Sequence, residues 1–230
     1  MGNSNKMKNF NLLNKIYLLL ILILFTGSIV KVWKYKTWAH YYYGTAISAP
    51  ESYPVKIRTS ELLTSGETSY INSDGAAGYY SEWGNGDYGA STEKRFLPTK
   101  LVLDYASYRD KSFYKDTIDL PVKLIDSVFK NHPSTGENQL TFSVGVANKG
   151  NIIVWLQGEN YEIILLKHKI IAREPTTDQT RTTDKSLTKQ KYLDQEFRIP
   201  DSIKRKFDLG LDKDANYIDS TSKHLSNQTK

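Results

Sequence analysis

The chain has 230 residues, 31 Lys and Arg against 25 Asp and Glu, a formal charge of +6, and no cysteine. That length suits one domain plus a targeting segment, and the missing cysteine excludes a disulfide framework, a thiolate metal centre and a cysteine nucleophile. Basic residues are interspersed with acids along the whole chain rather than gathered in a stripe, so nucleic acid is not expected as a partner.

The first element is the uncharged run Ile16–Val30, IYLLLILILFTGSIV, preceded by Lys6, Lys8 and Lys15. A basic flank followed by a run that is apolar on every face predicts an export signal or a membrane anchor, and a buried core helix fits it poorly. Both outcomes stay open. The run is at the upper end for a signal-peptide core. Adding Leu12–Leu13 and Val32–Trp33 makes it long enough to span, with Lys15 and Lys31 reaching the two interfaces and Trp33, Tyr35 and Trp38 in the aromatic belt. Phe25-Thr26-Gly27-Ser28 has the form of a bacterial lipoprotein signal box with Ser28 in the place of the lipidated cysteine. Serine has no thiol to carry the thioether. Residues 1–34 are assigned as signal peptide or membrane anchor. The rest of the chain is expected on the periplasmic or extracytoplasmic side of a bacterial cell envelope.

The 16 Tyr and 4 Trp favour β structure in the remainder of the chain. Tyr35–Ser48 reads as a first strand, Val55–Leu63 as a second and Thr68–Asn72 as a third. Ser73–Thr92 is punctuated by glycine, Asn85 and Asp87 and reads as loop and turn. Lys100–Ser107 and the short Thr117–Leu120 are further strands. Pro121 opens a helix in which Val122, Ile125, Val128 and Phe129 fall at helical spacing. Leu140–Ala147 and Ile152–Gln157 flank Asn148-Lys149-Gly150-Asn151 as a hairpin, and Tyr161–Ala172 extends the meander. Residues 35–173 are therefore read as one β-rich extracytoplasmic domain: mainly β (α+β), an antiparallel β-meander or sandwich with one packed helix. Residues 174–230 read as a polar linker and frayed tail, with room for a short helix after Pro200.

Several ordered landmarks carry a resemblance. Ala49-Pro50 and Tyr53-Pro54 are followed by Trp83-Gly84, Leu97-Pro98 before a strand, and Tyr108 with Lys111-Ser112-Phe113-Tyr114. Leu120-Pro121 then opens a helix, and the hairpin ends in Val154-Trp155-Leu156. In this order they resemble a bacterial family of envelope lipoproteins, domain of unknown function 2931, over about Trp38 to Ile171. The resemblance implies export and lipid anchoring and supplies no functional residue. The absent lipidation cysteine departs from that pattern, and the region after Arg173 lies outside it.

Four side chains make a candidate ligand site. Trp83, Asn85, Asp87 and Tyr88 set an aromatic ring beside amide and carboxylate groups, a combination that stacks on a sugar and hydrogen-bonds its hydroxyls. The same residues also make an ordinary turn with the indole folded onto a core. Asp212, Asp214 and Asn216 have the spacing that begins a calcium loop, but Tyr217 stands where glycine is needed and Lys223 where the bidentate glutamate is needed, so a solvated acidic tail fits better. Asp104, Tyr105, Tyr108, Arg109, Asp110, Lys111 and Tyr114 offer acid–base groups that read equally as surface ion pairs. His40, His132, His168 and His224 show no metal-ligand spacing, and no nucleophile elbow or phosphate loop is present. No catalytic residue, cofactor or metal is assigned.

Three functions are compatible with these residues. The first is a non-catalytic envelope domain that binds a protein partner. The second is a glycan-binding or glycan-cleaving domain using the Trp83–Tyr88 loop. The third is a structural surface protein whose tether matters more than its domain.

Overall fold

A computed structural model describes residues 11–35, 39–73, 82–86, 88–132, 134–181, 185–197 and 199–226. It divides into two compact units, Met1–His40 and Tyr41–Lys230. The first contains helix α1, Leu12–Tyr35. Its 24 residues give a rod of about 36 Å at 1.5 Å per residue. The stretch Leu12–Trp33 has a mean hydropathy of 2.2 and none of it is buried. It is long and apolar enough to cross a hydrocarbon layer of about 30 Å. The Thr26 hydroxyl donates back to the Leu22 carbonyl at 2.7 Å, so that polar group is satisfied inside the helix. The helix continues through Tyr35, where a strand is expected from the aromatic content; Trp38 lies outside the described residues.

The second unit runs, in chain order, through β1 (Tyr43–Ser48), β2 (Val55–Leu63), β3 (Thr68–Tyr70), β4 (Lys100–Ser107), β5 (Ser112–Asp119), α2 (Val122–Asn131), β6 (Leu140–Val146), β7 (Asn151–Gln157), β8 (Glu162–Lys169), α3 (Lys189–Glu196) and α4 (Asp201–Asp208). The eight strands make two four-stranded sheets, one ordered β8-β7-β6-β1 and the other β3-β2-β4-β5. The hairpin β6–β7 pairs Phe142 with Leu156 and Val144 with Val154 around a turn in which Lys149 and Gly150 take positive φ. All ladders but one within these sheets are antiparallel. The exception is β1, which lies parallel to β6, with Tyr43 opposite Leu140 and Ser48 opposite Gly145. Sequence reading leads one to expect only antiparallel pairs, because it sees hairpins between neighbours and has no signal for a pairing nearly a hundred residues apart.

Strand alternation builds the core. Phe142, Val144, Ile152, Val154 and Leu156 of one sheet face Leu101, Leu103, Tyr105 and Tyr114 of the other, all within one buried cluster. Helix α2 adds Ile125, Val128 and Phe129, and the Phe129 ring lies 6.0 Å from Phe142 and 6.4 Å edge-on from Tyr43. The arrangement is the α+β sandwich, with α2 packed on its central core.

Both sheets are also covered on their outer faces, and the region after residue 173 does the covering. On the second sheet, Ala106 and Phe113 are buried under Tyr192 and Leu193 of α3, Phe197 and Ile199 of the connection that follows it, and Ile203 of α4. The Phe113 and Tyr192 rings sit 5.5 Å apart, and Asp104, 5 % exposed, is closed over by Gln179, whose amide donates to it at 2.7 Å. On the first sheet, Ile153 and Trp155 pack with Trp83, Tyr217 and Ile218. What reads in sequence as linker and tail is thus packed structure. Tyr192, Leu193, Phe197, Ile199 and Ile203 reach one outer face and Tyr217 and Ile218 the other, a pattern that neither period 2 nor period 3.6 reveals.

Candidate functional site

Residues 82–86 and 88–91 run along β1, the edge strand of the first sheet. Asn85 N–H donates to the Glu82 carbonyl at 2.9 Å, closing a turn in which Gly84 has φ +79°. A Cβ at Gly84 would also stand 2.4 Å from that of Ser222, so glycine is required for conformation and for space. Beyond the turn, Gly86 lies against the β1 backbone, where a Cβ would come within 2.1 Å of the Ile47 carbonyl oxygen. Thr45 and Gly89 then exchange two backbone hydrogen bonds of 2.9 Å. These contacts pair and cover an edge that would otherwise be open to strand addition.

This path separates the four sequence candidates. Trp83 turns inward: it is 6 % exposed, meets Trp155 edge-on at 5.1 Å and lies 5.8 Å from the Tyr217 ring. Gly145 makes room for this pair, since a Cβ there would meet the Trp155 ring at 2.6 Å. The expectation of Trp83 as a stacking surface for a sugar is corrected here, because its ring faces are spent on other rings and burial of an indole outweighs leaving it in a loop. Asn85 and Tyr88 stay exposed, and Tyr88 packs across Gly44, whose missing Cβ would lie 2.2 Å from the ring. Asp87 lies outside the described residues.

Asn85 and Tyr88 form one wall of an open cleft of about 460 Å³ on the outer face of the first sheet. Its floor is small, Ala46 of β1 and Thr141 of β6, and its other walls are the turns at Glu137–Gln139 and Gln157–Glu159, with His224. The layer of Trp83, Trp155 and Tyr217 leaves this strip of the sheet uncovered. Two amides hold the walls together. Gln139, which is buried, accepts from the Ser91 N–H at 3.0 Å and donates to the Ser91 carbonyl at 2.7 Å. Gln157 donates through Nε2 to the Gly84 carbonyl at 2.8 Å and to Glu162 at 2.7 Å. Glu162 also accepts from the Ser222 hydroxyl at 2.6 Å, and the Lys223 N–H donates to the Trp83 carbonyl at 2.8 Å. His224 Nε2 lies 2.9 Å from the Gly158 carbonyl, which can only accept, so that nitrogen carries the hydrogen. Sequence reading misses Glu137, Gln139, Gln157, Glu159 and His224: they come from three distant segments and share no motif.

The other candidates fall elsewhere. Asp104 and Tyr105, adjacent on β4, point to opposite faces of their sheet, the carboxylate toward Lys115 and Gln179 and the phenol into the core. Burial raises the Tyr105 phenol well above its usual range; burial, with Asp110 beside it, does the same for Tyr114. Phenols held neutral in this way are hydrogen-bond donors, not bases. Asp110 accepts from the Tyr114 hydroxyl at 3.1 Å and from the Lys149 N–H at 2.7 Å, a structural role at the hairpin turn. Arg109 donates to the carbonyls of Ser52 and Leu211 and lies over the rings of Tyr53 and Phe207. The residues with calcium-loop spacing are separated into different contacts: Asp212 accepts from Ser52, Asp214 pairs with Lys149 at 2.9 Å, and Asn216 bonds Asp219. Lys149 pulls the Asp214 carboxyl below its usual range, and Lys167 does the same for Asp219. His168 spans from β8 to Asp116 on β5 at 2.8 Å, tying the edges of the two sheets. No group of three or more metal-ligating side chains occurs among the described residues.

No curated protein and no solved structure matches the chain. Residues 20–210 match the family described as Protein of unknown function (DUF2931). The match reaches past Arg173, where the sequence resemblance stops, and takes in α3 and α4, the helices that cover the second sheet. With most of its length inside that match, the chain belongs to the DUF2931 family of proteins of unknown function.

Proposed function

We propose that this chain is a membrane-tethered, non-catalytic binding domain of the bacterial envelope, held on the extracytoplasmic side by α1, and that its cleft recognises a protein partner. The observation that carries the reading is the cleft itself. It is open, walled by turns at one end of a sandwich sheet, and its supporting amides are fixed by internal hydrogen bonds, which is how recognition surfaces are built on rigid scaffolds. The unburied apolar helix supports the tether. The glycan reading keeps Asn85 and the exposed Tyr88 ring but loses the indole on which it rested.

The test is capture from the source cell's membranes with the full tagged chain in mild detergent, compared with the double variant Asn85→Ala/Tyr88→Ala and read by mass spectrometry. One stoichiometric protein captured by the wild type and lost from the variant is the expected result. A partner retained equally by the variant would remove the cleft from the reading. Capture of glycan with no protein would favour the sugar-binding alternative.

A further inference from the structure

A second and smaller pocket, of about 140 Å³, lies between β1, an edge of the first sheet, and β3, an edge of the second. Tyr43 and Thr45 of β1, Tyr70 of β3, Gly89 and Ser91 of the covering segment, and Arg95 line it. No Asp or Glu is among the described residues of its wall. The half-buried Arg95 guanidinium donates from Nη1 to the Ser69 hydroxyl oxygen at 3.0 Å, and no carboxylate pairs with it among the described residues. A guanidinium holds its N–H donors in one planar fork, so the rest of this fork is left over. Thr45 lies between Tyr43 and Ile47 on the core-facing side of β1 and is 6 % exposed, yet its hydroxyl has no hydrogen-bond partner among the described residues. Buried hydroxyls are as a rule bonded. Two further hydroxyls on the wall are spent inside the protein. Ser91 Oγ donates to the Glu93 carbonyl at 2.6 Å, and the Tyr43 phenol, raised by burial and so neutral, donates to the Phe96 carbonyl at 3.1 Å. Gly89 keeps the space beside Thr45 open: a Cβ there would stand 3.6 Å from Thr45 Oγ1.

We infer that this pocket binds an oxyanion, a carboxylate or phosphate group, with the free part of the Arg95 fork and the Thr45 hydroxyl donating to its oxygens. A half-buried cation without a counter-charge, beside a buried hydroxyl without a partner, is an arrangement that an oxyanion completes. Charge-assisted bonds from a guanidinium to such oxygens are shorter and stronger than neutral ones. The volume, several times the ~30 Å³ share of one water molecule, suits one such group. Tyr88 walls the cleft, whereas Gly89 and Ser91 wall this pocket, so the inference does not depend on the cleft being a recognition site. The oxyanion can belong to a phosphate ester or to the carboxylate of a peptide, and both sources share this chemistry.

The test is proton–nitrogen correlation NMR on the full chain in detergent micelles, titrated with inorganic phosphate, with acetate and, at matched ionic strength, with chloride. Phosphate or acetate is expected to give saturable shifts of the Arg95 Nε–H and the Thr45 amide. Chloride is not, because it screens charge without oxygens to fit the fork. Thr45→Val keeps the shape and removes the hydroxyl, and should weaken binding about fivefold, the size of one hydrogen bond. The methyl of Gly89→Ala meets Thr45 at ordinary contact distance, so the fold and melting temperature are kept while space for the anion is lost; binding should weaken by at least about tenfold. Arg95→Gln should abolish the shifts. If that variant loses its fold through the Ser69 contact, Thr45→Val and Gly89→Ala decide. Phosphate binding more tightly than acetate points to a phosphate ester as the source, and acetate binding at least as tightly points to a carboxylate; either supports the inference. Equal shifts with chloride, no saturable shift with either oxyanion, or binding unchanged in Thr45→Val and Gly89→Ala overturns it.

Discussion

Removing the Trp83 ring tests whether that residue is core or ligand surface. Its 6 % exposure and its contacts with Trp155 and Tyr217 mean that Trp83→Ala empties an indole-sized space. An indole buries roughly 200 Å², which at about 25 cal/mol per Å² amounts to ~5 kcal/mol before the alanine methyl is subtracted. Large-to-small aromatic truncations cost about 3–5 kcal/mol. For a unit of this size about 1 kcal/mol moves the melting temperature by ~2–4 °C, so a fall of roughly 10–15 °C is expected. Trp83→Phe is more informative. The indole Nε1 has no hydrogen-bond partner among the described residues, so phenylalanine forfeits volume but no bond, and the expected cost is about 1–2 kcal/mol. The assay is thermal unfolding by far-ultraviolet circular dichroism, which does not depend on the tryptophan removed. Asn85→Ala, at an exposed position, is the control and should stay within about 0.5 kcal/mol of wild type. A Trp83→Ala protein that melts within about 2 °C of wild type would refute the placement of this ring in the core.

The packing sets four further outcomes. Gly86→Ala sets a methyl 2.1 Å from a backbone carbonyl that has no rotamer to yield, so it should cost about 1–3 kcal/mol and speed hydrogen exchange at the Thr45 amide as the segment lifts from the strand edge. Arg109→Ala removes two hydrogen bonds and the cover over two rings. It should cost about 2 kcal/mol and accelerate tryptic cleavage at Lys213, measured by limited proteolysis. The Asp214 and Asp219 carboxyls lie below their ordinary value of 3.8, so their pairs with Lys149 and Lys167 contribute fully above that pH and are lost as pH falls through the lower folded values. Amide protection factors in residues 211–223, each rate taken relative to the unstructured chain at the same pH, should therefore be unchanged from pH 7 to 5 and fall below about 3.8. Leu20→Arg/Leu24→Arg places two charges in the middle of α1 at about 2.5 kcal/mol each; the chain should shift from the membrane to the soluble fraction on sedimentation, and a chain still fully membrane-bound would count against a tether made by this helix.

Much of the fold is legible in the residues because its signals are local. The apolar run before Val30 has no polar face to bury. The Asn148–Asn151 turn lies between two β-branched runs, and Pro121 opens a segment whose Ile125, Val128 and Phe129 share one helical face. The parallel pairing of Tyr43–Ser48 with Leu140–Val146 is not legible. It joins segments nearly a hundred residues apart, and strand composition names a strand without naming its neighbour. The same limit hid the cover of the outer faces, where Tyr192, Leu193, Phe197 and Ile203 stand isolated among charges and each is buried only because a sheet face lies beneath it.

The site divides along the same line. Sequence alone marks the Trp83–Tyr88 turn as unusual, since glycine, asparagine and aromatics crowd into it. It does not decide which side of the turn faces water. Tertiary structure decides that by geometry: Gly86 must press on Ile47, which carries Trp83 over Trp155 and leaves Asn85 and Tyr88 beside Gln157. The membrane-compatible helix is a property of composition, which any twenty consecutive residues carry by themselves. The cleft is a property of three segments meeting, and the direction of the Gln157 amide depends on acceptors supplied by Gly84 and Glu162, one of them more than seventy residues away in the chain.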